Sequence, residues 1–256
     1  MNAMSEAVRH WTKRRVSPKL LVWLRCVTRG LPVPNWGNFR RVRPFSERFG
    51  FERGTPVDRY YLHRFLEQHR AAITGRVLEI QASGYTEKYG HDLLAADSVD
   101  IVSGNPNLTY LCDLAKSQDV IPDDSYDCFL LPNTLCALRD VEGCLRNARR
   151  VLRPGGVILA TTVGLVPLMG DAPDYWHASA AGWLEIANRV WPGCEIRIEQ
   201  HGNCLTAVAA MLGLAHEELD TDELDDSDPR YPVMVTMFCR KPLAETCSPT
   251  YPSLTA

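Results

Sequence analysis

Short apolar runs alternate along this chain with apolar residues at helical spacing. Val77–Ile80, Leu93–Ala96, Leu108–Cys112, Tyr126–Leu131, Val157–Thr161, Glu195–Glu199 and the run YPVMVTMFCRK from Tyr231 read as strands. Tyr61, Phe65, His69 and Ile73 recur at helical spacing, as do Val141, Leu145, Ala148 and Leu152. Further helices are predicted over 179–190 and from Cys204 to Leu214. Pro154-Gly155-Gly156 is expected to stop the helix that precedes the fifth strand. This alternation predicts an α/β fold with a doubly wound, seven-stranded, mostly parallel sheet.

The ends of the chain follow other rules. SPKLLVWLRCVTRG, from Ser17, reads as a short amphipathic helix ending at Gly30. The stretch that follows is rich in Pro, Gly, Arg and aromatics and reads as an ordered, irregular arm. Three parts are expected: a basic arm over 1–53, the α/β domain over 54–241 and a disordered tail over 242–256. Charge separates the same way. Residues 1–76 hold 16 Lys+Arg against 5 Asp+Glu, and the remainder holds 12 against 26. A basic surface is expected on the N-terminal part, facing an acidic substrate, a membrane surface or the acidic side of its own domain.

Nine cysteines are scattered without a CxxC pair or zinc-finger spacing, which predicts free thiols in a reducing cytoplasm. No run of about 18 apolar residues exists, so no transmembrane helix is expected. No pair of carboxylates or histidines has metal-site spacing, and no metal is predicted. Neither a P-loop nor GxGxxG after the first strand is present, which argues against nucleotide hydrolysis and dinucleotide oxidoreduction. Arginines with interleaved aromatics in NWGNFRRVRPF permit RNA binding, but no nucleic-acid motif supports it and no nucleic-acid partner is favoured.

In such sheets ligands bind beyond the carboxyl ends of the strands. Glu79 lies at the first of these ends, Asp97 at the second in LLAAD, and Asp113 at the third in TYLCDLA. YDCFLLPNTL and VLRPGGVILAT supply the fourth and fifth strands. This ordered set resembles a class I S-adenosylmethionine-dependent methyltransferase with its Rossmann-like sheet, and within that family the methyltransferase type 11 group. GTPVDRYYLHRFLEQH and DYWHAS resemble a bacterial subgroup often found beside glycosyltransferases.

The resemblance implies S-adenosyl-L-methionine as cofactor and a small-molecule acceptor. Glu79 and the loop of Gln81, Ser83 and Tyr85 would face its methionine part. Asp97 would hold the ribose, Asp113 and Leu114 would flank the adenine, and Asn133 would border the methyl donor. Alternatives stand beside these roles. Glu79 and Asp113 also read as caps, and Asp100 competes with Asp97. Gln81 stands where the first glycine of the loop is expected, with Ser83 where a second often lies. The loop therefore reads either as a modified cofactor site or as one lost, with the fold reused as a binding subunit or for another reaction. A hydroxyl acceptor needs a base. His177 in GDAPDYWHAS is the candidate, with Tyr175, Trp176 and His201 as candidate substrate contacts. The reading is O-methylation of a sugar or natural product.

Overall fold

The computed structural model describes residues 17–170 and 173–243. Its chain divides into two compact units, one up to Val42 and one from Arg43 onward. In the first, helix α1 (Pro18–Thr28) starts at Ser17, whose hydroxyl accepts from the Leu20 amide, and a 3-10 turn follows at Gly37–Phe39. The compact unit that holds the sheet begins at Arg43, with residues 43–53 of the expected arm inside it. Residues 43–53 go with the second unit because the Phe45 amide donates to Leu212 O at 2.8 Å and Arg53 Nε to Glu218 Oε2 at 2.9 Å. From residue 244 the expected tail lies outside the described residues.

The second unit runs α2 (Val57–Gln68), β1 (Gly75–Ile80), α3 (Gly84–Tyr89), β2 (Leu93–Asp100), β3 (Tyr110–Leu111) and β4 (Tyr126–Leu131). It continues with α4 (Val141–Val151), β5 (Leu152–Val163), α5 (Ala180–Val190), β6 (Glu195–His201), α6 (Cys204–Leu212), α7 (Thr221–Asp225) and β7 (Met234–Arg240). The seven strands lie in the order β3-β2-β1-β4-β5-β7-β6, with β7 antiparallel to both neighbours and the other pairs parallel. Between β1 and β4 the strand order reverses, which opens a crevice at their carboxyl ends.

Period-two alternation builds two cores from the same strands. Leu78, Phe129 and Leu131 face one layer, with Leu145 of α4 and the buried Trp183 and Trp191. Val77, Cys128 and Leu130 face the other, with Leu62, Phe65 and Leu66 of α2. Helix α4 buries Val141, Cys144, Leu145, Ala148 and Val151 along one face. Its N-terminus is capped by Asp140, which accepts from the Gly143 amide at 2.9 Å, and Arg149 and Arg150 oppose the negative end of its dipole.

Several expected boundaries move. Strand β3 shrinks to two residues, and β5 begins at Leu152 and carries Pro154-Gly155-Gly156 inside it as an irregularity in the β4 pairing. Gly155 has φ 83°, so the glycine serves a bulge and not a stop. Helix α3 occupies what reads in sequence as a loop.

The largest change concerns β2. It runs on to Asp100, so Asp97 does not close it. Asp97 pairs with Leu78 in the middle of β1. Its carboxylate accepts from Tyr126 Oη at 2.8 Å and Arg76 Nη2 at 3.2 Å. Burial, then the bonds to Tyr110 and Asp97, push the Tyr126 hydroxyl well above its ordinary value, so it stays a donor. Asp97 is therefore expected to be structural. Asp97→Ala should lower unfolding stability by about 1–3 kcal/mol, since it removes the carboxylate that accepts from Arg76 and Thr109 and leaves the Tyr126 hydroxyl only the weaker Tyr110 partner. Chemical denaturation of the variant measures this.

Candidate active site

At the carboxyl end of β1, Glu79 is 2% exposed. Its Oε2 accepts from the Thr86 amide at 2.7 Å and Thr86 Oγ1 at 2.8 Å, and its Oε1 from the Tyr85 amide at 3.1 Å. These donors are first-turn groups of α3, so the acid caps that helix from the strand. Burial raises the carboxyl above its usual range, and the three bonds partly offset the rise. Between strand and helix, Gln81 takes φ 67°, the left-handed conformation that favours glycine. Its amide donates to Val99 O at 2.8 Å, and its carbonyl accepts from Asn105 Nδ2 at 2.9 Å. The turn that a glycine would make is thus made with a side chain in place.

This loop walls a cleft of about 300 Å³ lined by Glu79, Gln81, Tyr85, Arg59, Lys88 and Pro132 among others. Ser83 instead donates to Glu87 Oε1 at 2.7 Å. Asp100 stands at the end of β2, with Oδ1 accepting from the Ile101 amide at 2.7 Å. The Ile101 and Val102 side chains beside it are exposed. Asp113 caps a short turn, accepting from the Ala115 amide at 3.0 Å, and Leu114 packs in the core.

A second cavity, about 200 Å³, is mostly apolar. Phe49, Phe51, Val163, Val166, Pro167 and Met169 line it, together with Asp58, Arg59, Asn133, Cys136 and Asp174. Arg59 borders both cavities, and the adjacent residues Pro132 and Asn133 line one each, so the two meet at the carboxyl end of β4. Asn133 is held from three sides. Its amide donates to Thr161 Oγ1 at 2.8 Å, its Oδ1 accepts from the same hydroxyl at 2.8 Å, and its Nδ2 donates to Asp58 Oδ2 at 2.6 Å. Burial pushes the Cys136 thiol up to about 11, so it stays protonated at neutral pH.

Asp174 has a side chain only 4% exposed. Its Oδ2 accepts from the Met169 amide at 3.3 Å. Its Oδ1 lies 3.1 Å from His177 Nε2, yet makes no hydrogen bond, so the approach is too oblique for one. His177 Nδ1 is 2.7 Å from Gly164 O and so carries the ring proton. The histidine stands behind the carboxylate and is not itself part of the cavity lining. Trp176 Nε1 donates to Leu138 O at 2.8 Å and the Tyr175 amide to Cys136 O at 2.7 Å; neither residue lines the cavity. His201 lies elsewhere, stacked on Tyr61 in a separate cavity of about 220 Å³, with burial lowering its basicity.

Sequence reasoning missed Asp58, Arg59 and Phe49. The first two sit on a helix whose apolar rhythm hid them. Phe49 carried one signal, its place in an arm rich in Gly and Arg.

Residues 66–160 match the methyltransferase domain family Methyltransf_11. The chain is similar to Fusarielin synthase FSL1 of Gibberella zeae, 29% identical over 141 residues that cover 48% of this chain and 5% of that protein. It is also similar to the hybrid PKS-NRPS synthetase tasS of Hapsidospora irregularis, 31% identical over 78 residues, 28% of this chain and 2% of that one. The chain spans a small part of the length of these curated relatives. Among solved structures, its fold is similar to that of the cyclase SpnF, at 17% identity and TM-score 0.50, covering 88% of this chain and 94% of that one. An S-adenosylmethionine dependent methyltransferase from Mesorhizobium loti matches at 18% identity and TM-score 0.46, covering 69% of this chain and 95% of that one.

The left-handed turn yields a direct test. Gln81→Gly should raise stability by about 0.5–1 kcal/mol, because the relief of a left-handed side chain exceeds the added chain entropy. Thermal melting should rise by about 1–4 °C. A lower melting temperature would mean that the Gln81 side chain contributes contacts of its own.

Proposed function

We propose that this chain, whose residues 66–160 match the Methyltransf_11 methyltransferase domain family, methylates an oxygen of a small natural product with S-adenosylmethionine as donor. The observation that carries this reading is the meeting of the two cavities at Arg59 and residues 132–133. One cavity is lined by charged and polar groups, the other is mostly apolar, and a transfer between two bound molecules needs such a junction.

The residues present fit the cofactor. Arg59 and Lys88 offer positive charge to the carboxylate of its methionine part. Asp100 offers its carboxylate to the ribose hydroxyls in the place first expected of Asp97. The exposed Ile101 gives an apolar face for the base, with Asp113 at the next strand end. The turn at Gln81 keeps the left-handed bend that glycine supplies more cheaply. The cofactor, when bound, supplies a methyl group on a sulfonium, and the carbon–sulfur bonding pair leaves with sulfur.

The chain's part is to hold the acceptor, exclude water and take the proton. Phe49, Phe51, Val166 and Met169 bury its apolar body, which favours a natural product over a bare sugar. Asp174, buried at the cavity wall, accepts the hydrogen bond of the acceptor hydroxyl. As the new oxygen–carbon bond forms, the hydroxyl proton passes to the Asp174–His177 pair. His177, whose Nε2 lies 3.1 Å from Asp174 Oδ1, is the group that can share that proton once Asp174 has taken it. A second reading is favoured by the side chain at Gln81 and by the fold shared with a cyclase: the site serves another reaction.

Calorimetry with S-adenosylhomocysteine separates the two. On the first reading it binds at roughly micromolar Kd, and Asp100→Ala weakens binding by about 1.5–3 kcal/mol while leaving the fold intact. Absence of heat with both cofactor forms would move the assignment to the second reading. In a turnover assay that follows release of S-adenosylhomocysteine, Asp174→Asn should lower kcat by about 100-fold or more with cofactor affinity unchanged.

A further inference from the structure

We propose that helix α1 is an interfacial membrane helix that binds an anionic lipid surface. Leu20, Trp23, Leu24 and Val27 fall at i, i+3, i+4 and i+7, so they form one stripe along the helix. In a helix that packs on a protein core such a stripe is buried. Here it is 46, 48, 42 and 52% exposed, and no residue of the helix is buried. Arg25 lies on the opposite face, which it shares with Val22, and Arg29 caps the helix at its C-terminal end. Leu31, Val33 and Trp36 continue the exposed apolar surface beyond the helix.

Charge selects the occupant. From residue 7 to residue 46 the sequence holds ten Lys+Arg and no Asp or Glu. Two copies of such a segment would repel, which disfavours a helix pair as the partner. Nucleic acid would meet the cations but offers nothing to cover a stripe of Leu, Trp and Val. An anionic bilayer surface satisfies both, taking the stripe into the boundary of headgroups and acyl chains while its phosphates meet the cations. Tryptophan suits that boundary, being apolar in body with one polar N–H. At 11 residues the helix is too short to cross a bilayer, and among the described residues no helix is long and apolar enough to do so. It would lie in the plane of the surface.

The test uses the full chain and extruded vesicles of phosphatidylcholine alone or mixed with phosphatidylglycerol. Co-sedimentation and the shift of tryptophan emission report binding. The protein should bind the mixed vesicles at least about tenfold more tightly than the neutral ones, with affinity falling as salt is raised. Trp23→Asp with Leu24→Asp should abolish binding. Arg25→Glu with Arg29→Glu should weaken it by about tenfold or more. All four residues are exposed, so the melting temperature should not move in either variant, which separates lost binding from lost folding. Absence of binding at low salt, equal binding to both vesicle types, or anionic binding that survives the aspartate substitutions overturns the proposal. Salt-sensitive retention on RNA without vesicle binding also overturns it and assigns the segment to nucleic acid.

Discussion

Glu79 holds a nearly fully buried carboxyl group at the carboxyl end of β1. An unpaired carboxylate there would cost several kcal/mol, so its acceptance of three donors from the first turn of α3 ties strand to helix. Much else follows from that tie. The chain has only residues 81–83 to pass from Ile80 to the helix start, and the left-handed turn at Gln81 makes the passage short enough. The turn in turn presents its carbonyl to Asn105, which draws the loop after β2 against the loop after β1. The polar cleft is therefore walled by two loops whose positions descend from one buried acid.

A similar economy shapes the apolar cavity. Asn133 and Phe49, like Gln81, are non-glycine residues with positive φ, at 47° and 58°. All three line a cavity. Left-handed backbone at a residue with a side chain costs about 1–2 kcal/mol and persists only where surrounding bonds over-determine it. For Asn133 those bonds are visible: Thr161 holds its backbone and side chain together, and Asp58 holds the other end of its amide. For Phe49 the neighbouring Gly50 packs against the Leu214 carbonyl, leaving no room for a Cβ. Three residues with left-handed backbone thus wall these two cavities, while Asp92 and Asp124, which also take positive φ, lie in neither lining.

The strands that sequence periodicity identified best are those whose burial is uniform. Tyr126–Leu131 was legible to the residue because every position from Cys128 to Leu131 is buried, and the helix over 141–151 because its buried residues share one face. β2 was misjudged because a strand end was inferred from an acid. The partners that let Asp97 stay inside the strand are Arg76 and Tyr126, 21 and 29 residues away in sequence, and no local pattern shows them. The same distance hid Asp58 and Arg59. Their helix was recognised from its core-facing residues, while the cavity uses the residues between. At the candidate base, the motif GDAPDYWHAS drew attention to the histidine, which has the familiar chemistry. Burial and the cavity lining put the aspartate three residues earlier on the wall of the apolar cavity, which the histidine does not reach.

The position of β7 bears on how the molecule is assembled during synthesis. It lies between β5 and β6 and pairs in antiparallel fashion with both over residues 234–240. Among the described residues β6 has no strand neighbour except β7, so after residues 195–201 leave the ribosome they wait for a partner encoded more than 30 residues later. Until then one flank of β5 is an open edge that can pair with another chain. The last strand closes this half of the sheet, and Lys241, just beyond it, locks the closure by donating to Leu152 O at 2.8 Å and Asp124 Oδ1 at 2.6 Å. Nascent or truncated chains lacking these few residues expose an unpaired strand edge, so aggregation during translation is the characteristic hazard of this topology.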